Sequence, residues 1–123
     1  MTKILVVDDE PHIVRLVSFA LQKRGYEVVE ASDGPSGIEL AMAEKPDLIL
    51  MDVMMPVMTG LEVVERLKAE PATAGIPVVM LSARSQHSEQ QEGLESGAER
   101  YICKPFTPSV LVDTVSEIVG PAS

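Results

Sequence analysis

Tryptophan is absent from this chain, and its only aromatic residues are two tyrosines and two phenylalanines. Any core must therefore be aliphatic, built from Val, Leu, Ile, Met and Ala. A single cysteine excludes an internal disulfide and suits a reducing compartment. No apolar run approaches the ~20 residues of a membrane-spanning helix, and Met1-Thr2-Lys3 runs into a strand without a signal-peptide layout. A cytoplasmic protein with no membrane contact is expected. Basic residues are scarce, 10 against 19 acidic ones, for a net charge of −9. Such a surface repels phosphates, so no nucleic acid is expected to bind through this chain alone.

What is present is a soluble globular composition, 46% hydrophobic and 24% charged over 123 residues. Short β-branched runs alternate with helical patterns, five of each. The first strand is read over 3–7. Pro11 opens a helix in which Ile13, Val14, Val17, Ala20 and Leu21 recur at helical spacing, and Gly25 closes it. Glu27 to Ala31 reads as the second strand, and Ile38, Ala41 and Met42 mark a short helix ending before Pro46. Asp47 to Met51 is apolar throughout its interior, as a parallel strand covered on both faces should be. A loop over Pro56–Gly60 leads to a helix from about Leu61, with Leu61, Val64 and Leu67 on one side. After a second loop to Pro77, Val78 to Leu81 is the fourth strand, ending at Ser82. Residues 86–96 form a helical segment with little apolar content beyond Leu94. Arg100 to Cys103 is the fifth strand. Pro108 starts the last helix, where Val110, Leu111, Val115 and Ile118 face inward, and Gly120-Pro121 ends it.

This alternation predicts an α/β fold, a doubly wound five-stranded parallel sheet with five helices. One domain over 1–119 is expected, with 120–123 as a tail or the start of a linker. Three acids and a lysine stand at strand ends: Asp8 and Asp9 after the first run, Asp52 after the third, Lys104 after the fifth. In a parallel sheet these ends share the edge where open α/β sheets bind ligands. Acids crowded there repel by about 4 kcal/mol per pair at about 4 Å and an effective dielectric of 20. A hard divalent cation such as Mg²⁺ answers that repulsion.

Asp8-Asp9, Asp52-Val53-Met54-Met55-Pro56 with Gly60, Ser82-Ala83 and Lys104-Pro105 resemble the receiver domain of two-component response regulators. The likeness is to the chemotaxis-Y-like kind and covers essentially the whole chain. It implies a flavodoxin-like fold and a phosphoprotein that is not a turnover enzyme. Asp52 would be the phosphoacceptor, fed by a sensor histidine kinase or phosphotransfer protein. Asp9, assisted by Asp8, with Asp52 and the backbone carbonyl of Met54, would hold Mg²⁺. Lys104 would pair with the phosphoryl oxygens, Ser82 would hydrogen-bond to the phosphate, and Tyr101 would be the coupled aromatic switch. The readout face would be the fourth helix, fifth strand and fifth helix, acting on an output protein or a missing effector domain. The apolar pattern leaves open a homodimer through that same face.

The resemblance also implies that Met54 and Arg84 flank the path of attacking water, and a bulky apolar side chain and a long cation there predict slow self-dephosphorylation. Cys103 reads as a small buried filler, and His12 and His87 as surface residues. Three alternatives fare worse. A haloacid-dehalogenase-type phosphohydrolase wants an Asp where Met54 stands and usually a cap domain. A flavodoxin-like cofactor binder wants a Ser/Thr/Gly-rich phosphate loop where Asp8-Asp9-Glu10 stands. A pseudo-receiver is at odds with the intact acid set and Lys104.

Overall fold

Each of the five apolar runs becomes a strand, and the strands lie parallel in the order β2-β1-β3-β4-β5. The computed structural model describes residues 2–55, 57–83, 98–104 and 106–121. The elements are β1 (Lys3–Val7), α1 (Pro11–Lys23), β2 (Glu27–Ala31), α2 (Gly34–Glu44), β3 (Leu48–Asp52), α3 (Gly60–Ala69), β4 (Val78–Ala83), β5 (Arg100–Lys104) and α4 (Pro108–Val119). This is the flavodoxin-like strand order, whose direction of winding reverses between β1 and β3.

Alternation along the strands divides the core into two layers. Ile4, Val6, Leu48, Leu50, Val79 and Leu81 pack against Val14, Val17 and Leu21 of α1 and Leu111, Val112 and Val115 of α4. Leu5, Val7, Ile49, Met51, Val78 and Met80 face the other way, onto Ala41, Val63, Val64 and Leu67 of α2 and α3. Full burial of each such side chain stabilises by about 1.5–3 kcal/mol. β1, β3 and β4 supply both layers, which explains their unbroken apolar sequences.

Local signals start the helices. Asp33 accepts from the Ser36 amide at 2.8 Å and caps α2. Thr59 and Glu62 form a reciprocal capping box at α3, and Thr107 caps α4. At α1 the cap position is Glu10, whose side chain makes no cap bond, although Pro11 suits the first turn. The buried Tyr26 hydroxyl meets Ser116 Oγ at 2.9 Å and donates to the Gly120 carbonyl at 2.8 Å. It fastens the end of α4 to the turn between α1 and β2.

Several expectations need correction. Val110 is half exposed, and Val112 takes its place in the core, because the buried stripe of α4 runs through 111, 112 and 115. The side of α3 expected from Leu61, Val64 and Leu67 does pack onto the core, joined by Val63, while Met42 of α2 is exposed beside the buried Ala41. Cys103 is exposed, since β5 is an edge strand and Ile102 is its inward residue. β3 runs one residue later than expected, taking in Asp52, and β4 continues through Ser82 to Ala83. Four helices occur among the described residues; the helix expected over 86–96 lies outside them. No helix among the described residues is long and apolar enough to cross a membrane.

Candidate functional site

Asp8 follows β1 directly, and its amide donates to the Ala31 carbonyl at the end of β2. The chain then turns: the Glu10 amide donates to Asp8 Oδ1 at 2.9 Å. Asp52 is the last residue of β3, on the strand beside β1. Beyond it the Val53 amide still pairs with Leu81 of β4, and the Gly60 amide returns to the Val53 carbonyl at 2.8 Å. The loop after β3 is therefore tied back onto its own start. Asp8 and Asp52 are buried, while Asp9 and Glu10 reach solvent.

Lys104 closes β5 in register with Ala83, the last residue of β4, and lies two strands away from Asp52. Its Nζ donates to Asp8 Oδ2 at 3.0 Å, Glu10 Oε1 at 3.2 Å and Asp52 Oδ1 at 3.2 Å. Those three contacts use every donor an ammonium has. One cation thus serves two buried carboxylates and a third at the rim. Burial and the Asp8 charge push the Asp52 carboxyl up to about 7, against the opposing pull of Lys104. Burial draws the Lys104 pKa down, but its bond to Asp8 and the charges of Asp52 and Asp8 outweigh this and raise it.

One oxygen from each of Asp8, Asp9, Glu10 and Asp52 falls within a 4.8 Å group. Ligands around Mg²⁺ at about 2.1 Å span at most about 4.2 Å. A small inward adjustment of flexible carboxylates would fit the ion, and the cluster carries more negative charge than Lys104 can balance. The donor set, all hard oxygen, matches that metal.

Asp8, Asp9, Asp52 and Lys104 are thus brought together at the carboxyl edge. Ser82 lies buried on β4 in register with Cys103, and Tyr101, half-buried on β5, packs against the layer beneath α2 and α3. Met54 stands two residues past Asp52 with its side chain exposed. His12 is exposed; Arg84 and His87 lie outside the described residues. Glu10 was not among the expected site residues. The acidic run Asp8-Asp9-Glu10 was its only sequence signal, because contact with Lys104 depends on a partner 94 positions away.

The chain is 43% identical to the phosphate regulon transcriptional regulatory protein PhoB of Escherichia coli, over 95% of this chain and 51% of that protein. It is 34% identical to protein PilH of Pseudomonas aeruginosa, over 98% of this chain and 99% of that one. It spans about half the length of the first transcriptional regulators it matches, and nearly the whole of PilH. The chemotaxis protein CheY4 of Vibrio cholerae superimposes with a TM-score of 0.91 at 38% identity, covering 96% of this chain and 98% of that one. The family model of the response regulator receiver domain matches residues 4–116, from β1 into α4, and so takes in every strand end that carries the acids and the lysine; the chain belongs to that family of two-component signalling phosphoacceptors.

Proposed function

We propose that the protein accepts one phosphoryl group on Asp52 from a phosphohistidine of a sensor histidine kinase or phosphotransfer protein. A carboxylate oxygen of Asp52 forms the new bond to phosphorus; the bond from phosphorus to the imidazole nitrogen breaks, and its electron pair stays with the nitrogen. The observation that carries this reading is the convergence of Lys104 and Asp8 on Asp52 at the carboxyl edge of the sheet. Receiver domains bind Mg²⁺ at an acidic cluster, and here Asp8, Asp9, Asp52 and the Met54 carbonyl would hold it. When bound, the ion supplies charge neutralisation for the phosphoryl oxygens. It would also favour the ionised carboxylate of Asp52, which otherwise titrates near neutrality.

Lys104 is poised to exchange a carboxylate oxygen for a phosphoryl oxygen. Ser82, one strand over, supplies a hydroxyl donor to the new group. The aspartyl phosphate brings added charge and strong acceptor oxygens, and drawing Ser82 toward it opens space that Tyr101 would fill by turning inward. The face of β5 and α4, with the helix expected over 86–96, would carry that change outward. Residues 1–119 act as this unit, in the cytoplasm, on an output protein or an effector domain. The chemistry ends at one acyl phosphate per chain and does not turn over a substrate.

Incubation with Mg²⁺ and acetyl phosphate, followed by intact mass, tests the reading. A gain of one phosphoryl group in the wild type and none in Asp52→Ala is expected. No gain in the wild type, with Mg²⁺ binding demonstrated separately, would leave a partner-binding pseudo-receiver.

A further inference from the structure

We infer that Glu10 is a positioning residue: a rim carboxylate that holds the Lys104 ammonium and competes with the incoming phosphoryl group for it. The inference rests on Asp52 as acceptor and goes beyond it by giving a role to a residue outside the acceptor set. Two independent observations carry it. First, Glu10 occupies the cap position of α1 yet makes no side-chain cap bond. The caps of α2, α3 and α4 are Asp33, Thr59 and Thr107, and each accepts from its helix. Short Asp, Asn, Ser and Thr suit that task; Glu does not. Second, the longer Glu10 side chain spends its reach on Lys104 instead, with Oε1 at 3.2 Å from Nζ.

The donors of Lys104 are all committed, one each to Asp8, Glu10 and Asp52. Cation binding draws on the lone pairs of Asp8. Phosphoryl transfer replaces a carboxylate oxygen of Asp52 by a phosphoryl oxygen. Neither event removes Glu10, whose side chain is 46% exposed and whose other oxygen lies 3.6 Å from His12 Nε2. Glu10 therefore acts twice, with opposite signs. Its charge adds to the acidic cluster and favours the cation. Its grip on Lys104 retards capture of the phosphoryl oxygens.

Charge and reach are separable in the full chain. Glu10→Gln removes the charge. Glu10→Asp keeps the charge, shortens the reach and supplies a better cap. Glu44→Gln, at the far end of α2, removes one charge remote from the site. Mg²⁺ affinity is measured by calorimetry without phosphodonor, and the phosphorylation rate by intact mass with acetyl phosphate at saturating Mg²⁺. Glu10→Gln should bind Mg²⁺ about two- to fivefold more weakly yet accept phosphoryl about two- to fivefold faster, the range an exposed ion pair supplies. Glu10→Asp should be faster to the same extent with wild-type Mg²⁺ affinity, and Glu44→Gln should match wild type in both. A wild-type or slower rate for Glu10→Asp, whatever Glu10→Gln does, overturns the inference, because charge alone would then account for any effect. A wild type that binds Mg²⁺ but takes no phosphoryl group removes the Asp52 reading itself, and this inference with it.

Discussion

Val57 carries a backbone φ of +72°, in the left-handed region, although it is β-branched. Among the described residues the other non-glycine residue of positive φ, Lys45, is the C-cap of α2, where a left-handed residue ends a helix in the usual way. Val57 has no such role. It is 92% exposed, so no burial offsets the steric cost of about 1–2 kcal/mol between Cβ and the backbone. Glycine would relieve that clash while losing about 0.5–1 kcal/mol to its looser unfolded chain. Val57→Gly is expected to stabilise the protein by up to about 1 kcal/mol, seen as a higher urea midpoint at unchanged slope. Val57→Ala, which keeps Cβ, should gain less. Equal midpoints for all three chains would show that the loop holds no strain at this residue.

The connection between β3 and α3 shows what one glycine does for a whole element. A Cβ on Gly60 would collide with the Asp52 carbonyl oxygen and the Val53 Cα, both backbone atoms that cannot swing aside. The first turn of α3 therefore lies directly against the end of β3, and it fixes the backbone that presents Asp52. Gly60→Ala is expected to cost about 2–3 kcal/mol in urea unfolding, and to slow phosphorylation in the fraction that remains folded. An alanine variant with wild-type stability would mean that the loop yields freely. The strands were legible in the sequence because each holds a short apolar run, and β2 begins and ends as its pattern predicts. The charged residues at the ends of β1, β3 and β5 were legible as a candidate site for the same reason: a charge ending an apolar run has few structural uses. Side-chain detail was less legible. Val110 and Val112 flank Leu111 on opposite sides of the apolar stripe of α4, and only the position of the sheet decides which is buried. The contact of Glu10 with Lys104 depends on the order of five strands, which no local pattern encodes.

At the scale of the whole molecule the dominant fact is surplus negative charge, −9 in total, with part of it buried beside a single ammonium. The Asp52 carboxyl stands at about 7 in the folded chain against an ordinary 3.8. Between those values the folded state holds a proton that the unfolded state has released. Stability from this group is thus present below the lower value and is lost as pH rises toward about 7. Asp52→Asn keeps the shape and removes the charge, so without metal it should melt above the wild type at pH 8. Near pH 4 the two should converge, because Asp52 is then neutral as well. Mg²⁺ should narrow that gap at pH 8, since a cation at a hundredfold excess over its dissociation constant stabilises its bound state by about 2.7 kcal/mol. The asparagine variant has lost one ligand and should gain less. At pH 5 the gain should shrink for the wild type, because protons compete with the ion for the same oxygens. Melting curves in chelator and in Mg²⁺ at the two ends of this range check all three signs. If the asparagine variant is no more stable at pH 8 in chelator, Lys104 alone balances the buried acids, and the case for a resident cation would rest on phosphoryl chemistry rather than on the charge of the fold.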